Sequence, residues 1–415
     1  MTRGRWGAAL GVLAAVRVLV PLAALADSGH GLPGLPRYVY GYRGDASGYY
    51  STARAILSGV PALGPALLPL LVLLAAGLWL AVRLWRRGRR SEGIVAAALA
   101  AGVVAAAVIL AGDKGAVGAV GWPLLWAVLM APLRVAGVIS TRNAFGFGLV
   151  LSLAANVATL VAVAYAALWT TRRRGAALLA AALWAFWPLY IGLVAGHAAW
   201  QRGSWEVDTG LSMDSEPLST ACCTVALALL LRPRPTATVY TLAGLAAGYA
   251  TLTRPSNGLL VLLAVGFVLA RRGLRSAAPV VAGGLAALPV YVAFLPKRYG
   301  YGFSTGKGGA FVGLSVRNVA TTFTDSTLWG ARALGAILPP AFLGLFAVGL
   351  EGAVLLGGWV VLNTGFYSLA PNTWDQPRYL FAALPAALVL WAAGAWAVGE
   401  AFAARLLPGL RMVRG

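Results

Sequence analysis

The chain has 415 residues, of which 60% are hydrophobic and only 11% charged, and Lys and Arg outnumber Asp and Glu by 33 to 12. Soluble domains carry about 25% charged residues, so this composition leaves most of a soluble surface uncovered and excludes both a single soluble domain and a disordered chain. What remains is an all-α polytopic membrane protein with lipid as the solvent for most of its surface.

A helix that crosses a bilayer needs about 20 apolar residues. In chain order we read twelve transmembrane helices: 7–26, 61–82, 94–112, 145–169, 175–196, 214–231, 236–252, 256–270, 276–296, 333–350, 352–370 and 379–404. The first also has the outline of a signal peptide, with a basic start and Ala24-Leu25-Ala26 before Asp27, but Arg17 within its apolar stretch favours a retained helix. The apolar stretch 122–140 opens with Trp122-Pro123 and contains Pro132 and Arg134. Proline breaks helical bonding and a mid-helix Arg is costly in lipid, so it is expected to be an interfacial or re-entrant helix. No soluble domain, internal repeat or long linker is evident, so residues 1–415 form a single transmembrane domain. Cys222 and Cys223 are adjacent within an apolar run, poorly placed to bond each other and without metal-ligand spacing. With only His30 and His197 beside them, a zinc site is not supported.

Charge sets the expected orientation. With the N-terminus in the cytoplasm, the inside segments hold 18 basic residues against Glu92, Glu351 and Glu400, in short loops that are almost purely basic. The other nine acids fall outside, as the positive-inside rule favours. The same rule accounts for the net charge of +21. A nucleic-acid partner is not expected, because no basic domain interleaved with aromatics stands outside the apolar segments. The long extracytoplasmic loops are then 27–60 and 297–332. The abundance of Ala, Gly and Arg suggests a bacterial source, and the membrane is then the plasma membrane.

The unusual residues collect on that outer side. In the first loop Asp45 lies among Tyr38, Tyr40, Tyr42, Tyr49 and Tyr50, between Arg43 and Arg54. This reads either as an interfacial aromatic belt with a solvated Asp, or as a desolvated carboxylate whose raised pKa suits a general base. A second cluster runs through His197, Trp200, Arg202, Glu206, Asp208, Asp214 and Glu216. Glu216 precedes Pro217, so it is either a helix-start acid favoured by the dipole or an acceptor or metal contact. Thr253-Arg254-Pro255-Ser256-Asn257-Gly258 is a tight outer turn, where Arg254 either snorkels or binds phosphate with its bidentate fork. Trp374-Asp375-Gln376-Pro377-Arg378-Tyr379 opens the last helix, and Lys297, Arg298, Lys307, Arg317 and Arg332 populate the loop 297–332. Positive charge outside runs against the usual bias and calls for a negative partner, such as a lipid phosphate.

The ordered set resembles the GT-C superfamily of membrane glycosyltransferases, which use polyprenyl-phosphate sugars. The resemblance rests on Asp45 followed by Tyr49-Tyr50 and a small-residue helix start, and on Arg378-Tyr379 opening a late helix before Pro385. Two further stretches are similar to the PIG-V-type (GPI mannosyltransferase II-like) mannosyltransferases: Arg254-Pro255-Ser256-Asn257-Gly258 and Ser215-Glu216-Pro217-Leu218. The helix pair 61–82 and 94–112, with its basic hairpin, stands as an insertion in that pattern.

The resemblance implies an inverting transfer of a sugar, mannose first, from a polyprenyl-phosphate donor to a hydroxyl of a lipid-linked, glycan or protein acceptor on the extracytoplasmic face. Asp45 is the implied catalytic base. Arg254 and Arg378, with Lys297 or Arg298, hold the donor phosphate. Tyr49, Tyr50 and Tyr379 line the pocket, and Glu216 and His197 are acceptor contacts. No cofactor is required, although a divalent cation between Asp45 and Asp214 or Glu216 fits oxygen-ligand chemistry. Two other classes remain: a twelve-helix transporter or lipid flippase, marked by internal repeats and midplane charges, and a non-catalytic scaffold, in which Asp45, Arg254 and Arg378 do not converge.

Overall fold

The computed structural model describes residues 3–27, 45–114, 119–138, 141–190, 215–297, 339–369 and 381–406. Among them every regular element is helical. The helices are α1 Arg3–Asp27, α2 Asp45–Ala62, α3 Leu67–Arg86, α4 Arg90–Ala111, α5 Gly121–Val135, α6 Thr141–Thr171, α7 Arg174–Ala185, α8 Glu216–Leu231, α9 Ala237–Thr253, α10 Gly258–Arg272, α11 Leu274–Leu285 and α12 Leu288–Phe294. After them come α13 (339–347), α14 Gly349–Gly352, a π-helical turn Ala353–Gly357, α15 Gly358–Leu369 and α16 Leu384–Leu406. Among the described residues seven helical runs are long and apolar enough to cross a membrane: Gly64–Arg86, Arg90–Ala111, Gly146–Thr171, Pro255–Arg272, Leu274–Lys297, Gly349–Tyr367 and Leu384–Arg405. The protein is an all-α polytopic membrane protein.

One expectation needs revision. The second half of the stretch 27–60 is not loop: an 18-residue helix begins at Asp45. Its buried residues Tyr49, Tyr50, Ala53, Ile56 and Leu57 recur at helical spacing, which a search for 20-residue apolar runs does not register. The expected span 276–296 is present as the run Leu274–Lys297, with a break inside it. Pro289 sits at the start of α12, just after the break at Ala286–Ala287, because proline has no amide to continue the ladder.

Ion pairs define one end of the bundle. Arg271 at the end of α10 meets Glu351 of α14 at 3.1 Å, and Arg173 before α7 meets Glu400 of α16 at 3.5 Å. The opposite end is tied by main-chain bonds: the Asp113 amide donates to the Ala55 carbonyl at 3.2 Å, and the Val120 amide to the Leu252 carbonyl at 3.1 Å.

The helices approach closely because small residues face each other. Lipid tails are as apolar as Leu, so association in a membrane depends on such packing rather than on the hydrophobic effect. A Cβ on Gly248 of α9 would lie 2.6 Å from the Gly284 carbonyl of α11, and Gly244 and Gly283 line the same crossing. Gly59 and Gly112 play this part between α2 and α4, and Gly344 and Gly394 between α13 and α16. The main core joins α6 to α10 and α16, with Trp184 and Trp359 fully buried among alanines. A smaller core sets α2 against α5, with Trp122, Trp126 and Met130 at 0% exposure.

Arg17 holds α1 to this frame. The side chain is 1% exposed. Its Nε and Nη2 donate to Asn156 Oδ1 of α6 at 3.1 and 2.6 Å, and the guanidinium lies 4.4 Å from the ring centre of Trp184 of α7. Trp184 Nε1 in turn donates to the Asn156 carbonyl at 3.1 Å. A buried charge is tolerated when it is bonded within the bundle. We predict that Asn156→Leu costs about 1–3 kcal/mol, the penalty of removing a buried acceptor, and that the double variant Arg17→Leu/Asn156→Leu recovers part of that loss. Thermal unfolding in detergent reads both, and equal midpoints for wild type and Asn156→Leu would show that the cluster does not hold α1.

Candidate functional site

At the end away from Glu351, segments remote in sequence meet around Ser215. Pro255 forces the residue before it out of the helical region, so α9 ends at Thr253 and Arg254 is extended at φ −152° and ψ 118°. A 3-10 turn, Pro255–Asn257, then starts α10. In that extended position Arg254 reaches the first residues of α8. Its Nε donates to Ser215 Oγ at 3.3 Å and its Nη2 forms an ion pair with Glu216. The Glu216 side chain is 1% exposed and that of Arg254 11%. Two charges this deep persist only as a pair, because desolvating either alone costs several kcal/mol.

The turn is fixed a second time by Asn257. Its Nδ2 donates to Ser219 Oγ of α8 at 2.7 Å and to the Ala250 carbonyl at 2.9 Å. Ser256 Oγ hydrogen-bonds the hydroxyl of Tyr367 on α15, so the Arg-Pro-Ser-Asn-Gly turn joins α8, α9, α10 and α15.

The helix headed by Asp45 comes to the same place. Tyr49, one turn after Asp45, donates its hydroxyl to Ser215 Oγ at 3.1 Å. Beneath it Tyr50 packs on Trp126 of α5, ring centres 5.7 Å apart, and Trp122 lies 6.1 Å from Trp126. Arg54 lies over the Tyr50 ring at 5.9 Å. The start of α5 is sewn to the end of α9: Tyr249 donates to the Gly121 carbonyl at 2.7 Å, and a Cβ on Gly121 would lie 2.7 Å from the Thr253 amide. The apolar stretch 122–140 therefore provides the floor under α2 through its first half. Sequence reading missed this role, although Trp122, Trp126 and Met130 at four-residue spacing form a helical stripe. Lys297 closes the other side of α2. Its Nζ donates to the Gly112 carbonyl at the end of α4 at 2.6 Å, beside the Asp113 amide that donates to Ser58 Oγ of α2 at 3.1 Å.

Of the residues picked from sequence, the structure brings Tyr49, Glu216 and Arg254 into one hydrogen-bonded group, with Tyr50 packed below and Lys297 at the far side of α2. Asp45 is placed by its backbone as the first residue of α2. Arg378, Arg298, Tyr379, His197 and Asp214 lie outside the described residues. Among the described residues no group of His, Cys, Asp and Glu is arranged to hold a metal ion. Farther along, an apolar cavity of about 250 Å³ lies between α7 with its continuation 187–190 and α16, lined among others by Leu183, Trp187, Tyr190, Leu388 and Trp391. It falls just below the ~300–1,000 Å³ of pockets that enclose whole small molecules, a size suited to a stretch of hydrocarbon chain.

Removing one partner of the buried pair should be far worse than removing the tyrosine hydroxyl. We predict that Glu216→Ala destabilises by about 3–5 kcal/mol and Tyr49→Phe by about 1 kcal/mol, both read by thermal unfolding in detergent. Equal effects would show that the ion pair does not anchor the turn. The chain matches no protein-family model and no curated protein.

Proposed function

We propose that this protein is an inverting glycosyltransferase of GT-C type with about twelve transmembrane helices, which moves a sugar from a polyprenyl-phosphate donor to a lipid, glycan or protein hydroxyl. The observation that carries this reading is the hydrogen-bonded meeting at Ser215. There the helix that starts at Asp45, the Ser-Glu-Pro-Leu helix start and the Arg-Pro-Ser-Asn-Gly turn are joined through Tyr49, Glu216 and Arg254. These are three of the four stretches on which the family resemblance rests.

In this reading the site faces the extracytoplasmic side of a bacterial plasma membrane, and both termini are cytoplasmic. Asp45 takes the proton of the acceptor hydroxyl as that oxygen attacks the anomeric carbon. The bond from that carbon to the phosphate oxygen breaks on the opposite face, and polyprenyl phosphate leaves with the bonding electrons. The leaving group is already a stable anion, so the protein's main task is to balance its charge. Arg254, Arg378, Lys297 and Arg298 are the proposed cations for that task, and Arg254 has a fixed fork because Glu216 and Ser215 orient it. Tyr49, Tyr50 and Tyr379 form the pocket walls, with Glu216 and His197 on the acceptor side. The cavity between α7 and α16 is of the kind a prenyl chain could enter from lipid.

The test is sugar transfer by the purified full-length protein, offered polyprenyl-phosphate mannose, glucose and arabinose with an acceptor pool from lipid extract. We expect transfer from one donor, mannose first, and a loss of at least about a hundredfold in Asp45→Asn, the usual scale for a general base. Near-normal turnover in Asp45→Asn would remove the base assignment. No transfer from any donor by folded protein would favour a transporter.

A further inference from the structure

The turn of the α3–α4 hairpin lies away from the site just described, which only the far end of α4 touches. The α4 C-terminus lies beside α2 and Lys297, so its N-terminus and the hairpin turn are at the opposite end of the bundle, about 33 Å away for 22 residues of helix. No residue of α3 is buried. It packs on α4 through close backbone contacts at Gly77 and Gly93 and presents Leu68, Val72 and Trp79, each more than 60% exposed, to its surroundings.

At that end, arginine and carboxylate are unevenly matched. Each carboxylate there already has an arginine: Glu92 has Arg89 at 3.2 Å, Glu351 has Arg271 and Glu400 has Arg173. Arg83, Arg86, Arg87 and Arg90 crowd the hairpin tip, all exposed, and form no ion pair with any described residue. Two of them are ordered by aromatic rings. Arg83 lies over Trp79 at 5.2 Å and Arg90 over Trp85 at 5.3 Å, and Trp79 and Trp85 are 61% and 48% exposed. Exposed tryptophans at the end of an apolar helix sit at headgroup depth. A guanidinium stacked on indole uses its flat face and leaves its edge to hydrogen-bond an anion.

We propose that the tip of the α3–α4 hairpin is a binding site for anionic phospholipid headgroups, with the Arg83–Trp79 and Arg90–Trp85 pairs as its two clamps. The phosphate accepts from the guanidinium edges, Arg86 and Arg87 add attraction, and the exposed face of α3 lies along the acyl chains. The arrangement favours lipid over a protein partner, because clustered arginine at headgroup depth matches the negative potential of an anionic leaflet. The inference is independent of the glycosyltransferase reading.

The test uses purified full-length protein equilibrated with an equal mixture of phosphatidylglycerol and phosphatidylcholine, with retained lipid counted by native mass spectrometry. Wild type should retain phosphatidylglycerol preferentially. Arg83→Gln/Arg90→Gln keeps three arginines at the tip, and so the topology signal, and should lose about tenfold of that preference. Trp79→Leu/Trp85→Leu keeps every charge and should also weaken retention. Unaltered preference in both variants, while each elutes as a monodisperse folded species, would overturn the site. So would a second protein chain, rather than lipid, found on the hairpin of the wild type.

Discussion

A guanidinium and a carboxylate, both nearly sealed from water, set the arrangement at one end of this protein. Arg254 and Glu216 are affordable there only in contact with each other, and that contact fixes the end of α9 relative to the start of α8. Because Ser215 adjoins Glu216, it is fixed as well, and it accepts from Arg254 and from Tyr49 together. The start of α2 is thereby linked to the ion pair through a shared hydroxyl, in addition to the packing of α2 on Trp126 and its contacts with the end of α4. Asn257 and Ser256 repeat the tie to α8 and α15, so the turn is determined from several sides.

Among the described residues the rest of the bundle, apart from the Arg17–Asn156–Trp184 cluster, is ordered mainly by close packing. Its core is rich in alanine, interleaved with leucine and valine, with glycines where two backbones nearly touch, and Trp184 is held between Arg17 and Phe381. Small side chains lose little entropy on packing and bring backbones close enough for dispersion to hold them. A frame of this type resists movement, which suits a site assembled from the ends of many helices.

How much of this could be read in the sequence depended on the range of the interaction. Seven of the twelve expected crossing helices coincide with described runs long and apolar enough to span a membrane, and the basic runs at Arg172–Arg174 and Arg271–Arg275 lie beside Glu400 and Glu351 as the charge pattern grouped them. Arg17 was legible as an intramembrane charge, but its acceptor Asn156, 139 residues away, was not. The helix α2 was hidden because Gly44, Gly48, Ser51 and Thr52 read as loop and interrupt the stripe of Tyr49, Ala53 and Leu57 that makes it a helix. Arg254 and Glu216 were each singled out, one as a phosphate ligand and the other as an acceptor contact or a helix-start acid. Their pairing is a tertiary fact that spacing along a chain does not encode. The floor made by Trp122 and Trp126 was hidden by Pro132 and Arg134, which drew attention to the far end of α5.

The two ends of the bundle solve the same electrostatic problem in opposite ways. At the Arg254 end, charge is taken out of water, and each ion needs a partner built into the fold at fixed geometry. At the Glu351 end, charge stays at the headgroup boundary, where high dielectric and mobile anions make partners optional, and Arg83, Arg86, Arg87 and Arg90 stand without carboxylates among the described residues. Only the first kind of charge can hold chemistry in place, since preorganised groups in a low dielectric exert far larger fields than solvated ones. The second kind can hold the molecule in place, because its attraction reaches over a Debye length and needs no fixed geometry. Where each arginine meets water thus separates Arg254, fixed by a carboxylate inside the fold, from Arg83 and Arg90, exposed beside tryptophan rings.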